Sequence, residues 1–243
     1  MCCSEERLNV RITTIQGSVD VVIKHADRLA KTFFLHDPSS AHRESYDTWV
    51  LSGHSPAHRL VTNDVHAINR TMAARSPLAS WTQFTSASND LPELAAVDSY
   101  WDLFTMNDHE WRQLRCRERI AALLEAIMGP YRNLAVTTKV LHAKRPRLIP
   151  VCDSYVVQML GGSPEPGPDK AASIIAHLRD QGRANLEVLQ AIQRYLASLG
   201  IQRTLVRIMD ALIWVSHPGA WGSNTYKHLN QITVGVSVDS AAS

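Results

Sequence analysis

YRNLAVTTKVLHAKRPRLIPVCDSYVVQML, residues 131–160, is the stretch whose reading decides the fold. Leu134 to Ala143 is an apolar segment of helix length that runs into a basic turn broken by Pro146 and Pro150. Asp153-Ser154 then opens a second apolar run, Tyr155 to Leu160, closed by Gly161-Gly162. Proline cannot continue a helix and aspartate is a favoured N-cap, so the pattern predicts helix, basic connector, capped helix. Against the single acid Asp153 the stretch sets Arg132, Lys139, Lys144, Arg145 and Arg147, a local net of +4 in a chain whose total is +2. The remainder is therefore slightly acidic, and the positive charge is concentrated here.

Toward the N-terminus, Asn107 with Asp108 and Glu110 behind it starts the longest expected helix. It places Trp111, Leu114, Ile120, Leu123, Leu124 and Ile127 inward until Gly129-Pro130 stops it, and its outer arginines (Arg112, Arg115, Arg117, Arg119) read as solvated or paired. Between Ser76 and Leu103, Pro77 and Pro92 act as breakers in the aromatic part of the chain, which holds Trp81, Phe84, Tyr100, Trp101 and Phe104. Thr62 or Asn63 caps a helix with Val65, Ile68 and Met72 on one face. Ser18 is expected to cap another, carrying Val19, Val22, Ile23, Ala26, Ala30 and Phe33 until Asp37-Pro38. Leu8 to Ile15 alternates weakly and reads as an extended arm.

Toward the C-terminus, Pro168 or Asp169 begins a helix through Ala172, Ile175 and Leu178, and a second follows from Asn185 to Gly200 with Leu189, Ile192 and Leu196 as its buried stripe. A third, Arg203 to Val215, buries Leu205, Ile208, Met209, Leu212 and Val215. Its opposite side carries Arg203, Arg207, Asp210 and Trp214 as one continuous stripe, a surface suited to a protein partner. The tail ITVGVSVDSAAS alternates like a strand, with only the N-terminal arm to pair with. The expected fold is all-α, with six or more helices and only short strand-like segments near the termini. One globular domain spans 1–243, with 1–17 and 219–243 as extended or flexible arms.

Composition bounds the function. With 45% hydrophobic and 20% charged residues the 243-residue chain can bury a full core, and no apolar run approaches the about 18 residues that span a bilayer. The opening MCCSEERLNV lacks the basic-then-apolar order of a secretory leader, so a cytoplasmic location and no membrane partner are expected. Cys2, Cys3, Cys116 and Cys152 have neither disulfide-framework nor metal-ligand spacing. His54 and His58 stand four apart without the carboxylate a zinc motif would add, so neither a metal nor a cofactor is expected. Cys152 reads as a buried, inert thiol, because the neighbouring Asp153 carboxylate raises a thiol's pKa. No phosphate loop, nucleophile elbow or dinucleotide fingerprint occurs.

NDVHAINRTM (Asn63 to Met72), TTKVLHAKRPRLIPVCDSYVV (Thr137 to Val157) and LVRIMDALIWV (Leu205 to Val215) resemble the signature segments of a family of uncharacterised bacterial proteins, which brings no activity with it. The order helix, connector, helix, Pro-Val, then Asp opening the next helix is also similar to the helix-hairpin-helix DNA glycosylase superfamily. That resemblance implies DNA as partner and, for Asp153, the aspartate that assists departure of a base. Lys139, Lys144, Arg145 and Arg147 are then expected to contact the phosphate backbone. The chain departs from that superfamily at Ala135-Val136-Thr137, where the hairpin would want Gly-Val-Gly, and Lys139 lies too close to Asp153 for a lyase lysine. Two function classes follow: a DNA-binding protein of glycosylase-like architecture, and a non-enzymatic scaffold or interaction module using the Arg203, Arg207, Asp210, Trp214 stripe. In the second, Asp153 only caps its helix, worth about 1 kcal/mol.

Overall fold

A computed structural model describes residues 8–17, 20–35, 47–48, 57–71, 76–86, 90–163, 165–220 and 234–237. In chain order they form β1 (Val10–Thr13), β2 (Asp20–Ile23), α1 (Ala26–Leu35), α2 (Thr62–Thr71), a 3-10 turn (Leu78–Trp81), α3 (Thr82–Thr85), α4 (Pro92–Ala95) and α5 (Asp108–Gln113). There follow α6 (Cys116–Ile127), α7 (Leu134–Lys144), α8 (Ser154–Met159), α9 (Pro168–Ala184), α10 (Leu186–Ser198), α11 (Leu205–Ser216) and β3 (Val234–Ser237). The protein is mostly α-helical. The expectations attached to Ser18, Val19, His54 and Met72 lie outside the described residues.

Helix α7 sits at the centre because its sequence, LAVTTKVLHAK, has no polar face wide enough to meet water. Leu134, Val136, Val140 and Leu141 are buried, and so are Thr137, Thr138, His142 and Lys144. A helix buried on all sides belongs to the interior of a bundle. Helix α6 buries Cys116, Ile120, Leu123, Leu124 and Ile127 on one stripe and packs along α9. Near that layer Phe104 lies so close to Gly182 that a Cβ there would stand 2.2 Å from the ring.

The predicted helix from Asn107 to Ile127 is two helices. Asn107 and Glu110 form the reciprocal capping box that starts α5. The chain then breaks at Arg115, a left-handed residue at φ 51°, before α6 resumes. The N-terminal expectation changes more. The β-branched run Val21-Val22-Ile23 lies in a strand rather than on a helix face, and α1 begins only at Ala26, after His25 at φ 53°.

β2 is the central strand of a three-stranded antiparallel sheet, order β1-β2-β3, with Val10 opposite Ile23 and Val21 opposite Val236. The terminal segments thus meet each other. The outer edge of β1 is closed by side chains: Asn185 Oδ1 accepts the Arg11 N–H at 2.9 Å while its Nδ2 donates to the Arg11 carbonyl at 2.7 Å. Gln181 Oε1 accepts the Thr13 N–H at 2.8 Å. Amides from α9 and the residue after it stand where a fourth strand would be, which satisfies the edge and ties the sheet to the helices.

Candidate functional site

The connector after α7 is held by buried polar side chains rather than exposed as a basic turn. Lys144 points inward, its Nζ 2.6 Å from Asp64 Oδ2 on α2, with both side chains at most 1% exposed. Burial pushes the Lys144 ammonium below its ordinary pKa, and the Asp64 carboxylate holds it up. Arg145 is buried as well and donates to the carbonyls of Val97, Ala57, Lys144 and Leu94 at 2.6 to 2.9 Å. Both side chains are buried and turned to partners inside the protein, which corrects the expectation that Lys144 and Arg145 contact a phosphate backbone. Of the four predicted contacts, Arg147 is 56% exposed and pairs with Asp102 at 2.9 Å, while Lys139 is half-buried on α7.

The stripe predicted for a protein partner is internal too. Arg207 Nε donates to Asp47 Oδ1 at 2.8 Å and its Nη1 to Asp210 Oδ1 at 2.6 Å. Arg203 Nε lies 3.2 Å from Asp47 Oδ2 without hydrogen-bond alignment. The two guanidinium groups stand over the rings of Phe34 and Phe33 on α1, at 4.9 and 5.4 Å, and half-buried Trp214 tilts against Phe33. The chain itself occupies the surface on which the interaction-module reading rested.

Asp153 falls where the sequence places it, at the N-cap of α8. Its Oδ1 accepts the N–H groups of Tyr155 and Val156 at 3.0 and 3.1 Å. Its Oδ2 makes no hydrogen bond with any described residue, and the carboxylate lines a cleft of about 670 Å³. The walls come from the end of α6 (Glu125), the turn into α7 (Arg132, Asn133) and the entry to α9 (Glu165, Gly167). Capping and facing a cleft are therefore combined in one side chain. The cleft is not rimmed by Lys144 or Arg145. Its charges are Glu125, Asp153 and Glu165 against Arg132, whose Nε donates to the Ile127 carbonyl at 2.6 Å and whose guanidinium stands 5.0 Å over the Phe84 ring.

Beside the cap, the Tyr155 ring stacks on His217 with centroids 4.4 Å apart and planes at 18°. His217 Nδ1 accepts the Gly219 N–H at 3.0 Å, so in the neutral ring Nε2 carries the proton. Burial lowers the His217 pKa while the Asp153 charge raises it. Cys152 is fully buried, and its thiol pKa is driven up by burial and then by Asp210 and Asp153, as expected of an inert thiol. Among the described residues no group of His, Cys, Asp or Glu could hold a metal ion, and no helix is long and apolar enough to cross a membrane.

Three important residues escaped the sequence reading. Asp64 was read only as part of a helix start, Asp47 not at all, and Thr138 only as part of a helix. None carries a local signal, because each acts on a partner distant in the chain.

No curated protein and no solved structure matches the chain significantly. A family model does, over residues 26–217, which takes in all three of the segments that suggested a family. The chain belongs to the family of unknown function DUF6308.

Proposed function

We propose that the cleft takes a nucleoside presented by DNA and that Asp153 stabilises the positive charge developing on the sugar as the base leaves. The reading rests on one observation above all: Asp153 lines the cleft with its Oδ1 fixed by two cap bonds, while its Oδ2 makes no hydrogen bond with any described residue. A carboxylate so held is preorganised for a cation that forms only in the transition state. The bond between sugar and base breaks with its electron pair leaving on the base, and water supplies the hydroxyl to the sugar and a proton to the base. The acidic lining favours such a cation and disfavours a phosphate inside the cleft. Its volume of about 670 Å³ suits a ligand of nucleoside size.

Backbone contacts fall to Arg147 and Lys139, outside the cleft. A screen of single-lesion duplexes with the full chain tests the reading. Base release from at least one lesion is expected, with duplex binding that weakens as salt rises and a salt slope about one unit flatter in Arg147→Ala. Duplex binding without release from any lesion removes the enzymatic reading. Release from free nucleosides but not from duplexes keeps Asp153's role and removes DNA.

A further inference from the structure

We infer that Thr138 is the positioning residue of the Asp153 carboxylate, fixing from α7 the backbone that delivers Asp153 to the cleft; the inference rests on Asp153 acting there. Thr138 is fully buried, and its hydroxyl has both of its roles assigned. It donates to the Leu134 carbonyl at 2.8 Å and accepts the Cys152 N–H at 3.0 Å. Cys152 immediately precedes Asp153, and Leu134, one turn back from Thr138, is itself part of the cleft wall. One side chain therefore sets the height of the carboxylate against the wall it faces.

The neighbouring residues show that this segment is held point by point. Asp210, on α11, accepts the Val151 N–H at 2.9 Å, and a ring nitrogen of His142 lies 2.6 Å from the Ile149 carbonyl. Thr204 Oγ1 donates to the Pro146 carbonyl at 2.9 Å. None of these bonds belongs to a helix or a sheet: the Asp210 and Thr204 side chains reach it from 59 and 58 residues away, and His142 from α7. A segment needing only to connect two helices could satisfy its backbone with water at the surface. From Leu148 to Cys152 this one is buried, so its course there is dictated by the side chains that meet it. Thr138 acts nearest to Asp153, on the last backbone N–H before its own.

Thr138→Val keeps the shape and removes the hydroxyl, and Thr138→Ser restores it. On a duplex that the wild type processes, Thr138→Val is expected to lower the single-turnover rate of base release by about 10- to 100-fold with duplex Kd unchanged, as a small misplacement of a reacting group does. Thr138→Ser should stay near the wild type. Added to Asp153→Asn, Thr138→Val should lower the rate no further, because nothing is left to position. The backbone N–H resonances of Tyr155 and Val156, which report the bonds to Asp153 Oδ1, should move in Thr138→Val and not in Thr138→Ser. A loss of melting temperature alone, with the rate per folded molecule intact and additive with Asp153→Asn, would overturn the inference. If the wild type releases no base, the proposed function fails separately, and unmoved Tyr155 and Val156 resonances in Thr138→Val then overturn the positioning role by themselves.

Discussion

Replacing Lys144 with methionine separates a buried ion pair from a nucleic-acid contact. The substitution keeps the length of the stem and removes the charge, leaving the Asp64 carboxylate 0% exposed and, among the described residues, held only by the Val61 N–H at 2.8 Å from Oδ2. Its Oδ1 already lacks a hydrogen bond to any described residue. Removing one partner of a buried pair typically costs about 3 to 5 kcal/mol, because the remaining charge is neither solvated nor paired. Against a domain stability of about 5 to 15 kcal/mol that is a large fraction, and for a chain of this size it corresponds to a fall in Tm of roughly 6 to 20 °C. Urea unfolding followed by circular dichroism measures it directly. The double variant Lys144→Met/Asp64→Asn should recover about half or more of the loss, since asparagine is neutral and still accepts the Val61 N–H. A solvated lysine on a basic turn would behave differently: its loss would change stability by no more than about 0.5 kcal/mol and would weaken DNA binding. That result would refute the internal placement of Lys144 and restore the basic cluster.

The pH dependence turns on two buried groups of opposite sign. His142 has its pKa lowered to about 4 by burial and then by Arg207, so between pH 4 and 6.5 the unfolded chain binds the extra proton and stability falls as pH falls. Asp210 has its pKa raised to about 7 by burial, against Arg207 and the Val151 N–H, so between pH 3.8 and 7 the folded chain binds the extra proton and stability falls as pH rises. The two offset each other in the wild type, and Asp210→Asn should expose a loss of about 3 kcal/mol from pH 6.5 to 4, read from unfolding curves at each pH. Gly182→Ala, whose new Cβ meets the Phe104 ring, should destabilise by about 1 to 3 kcal/mol in the same assay. Cys116 and Cys152 should resist a thiol reagent at pH 8 until the protein is unfolded, since both are buried and burial raises both thiol pKa values.

Local chemistry was legible in the sequence and distant pairing was not. The Asn107-Glu110 box and the Asp153 cap depend on residues within one turn of each other, and both stand in the structure where the sequence puts them. The helical stripes of α6, α10 and α11 follow from spacing alone. The helix expected from Ser18 failed because Val22 and Ile23 fit a helical face and a strand equally well, and the partner that decides, β1, lies in another segment. The basic stretch failed for a similar reason. Counting charge within residues 131–160 finds +4, yet the acid that neutralises Lys144 lies on α2. Arg207 likewise meets an aspartate 160 residues away, so its stripe looked solvent-facing by helical spacing and is internal by pairing. The site shows both halves of this. Asp153 was named from its context, while the cleft around it is assembled from α6, α7 and α9 and has no local signature.

Asp153→Asn tests the central claim most directly, because asparagine caps a helix about as well as aspartate and leaves the cleft its shape. Stability and the rate of base release are measured on the same preparation, with the duplex the wild type processes. The account predicts a stability change within about 1 kcal/mol, from the lost charge at the positive end of α8, unchanged duplex binding, and a rate lower by orders of magnitude. A variant that releases the base as fast as the wild type would contradict it and leave Asp153 as a cap alone.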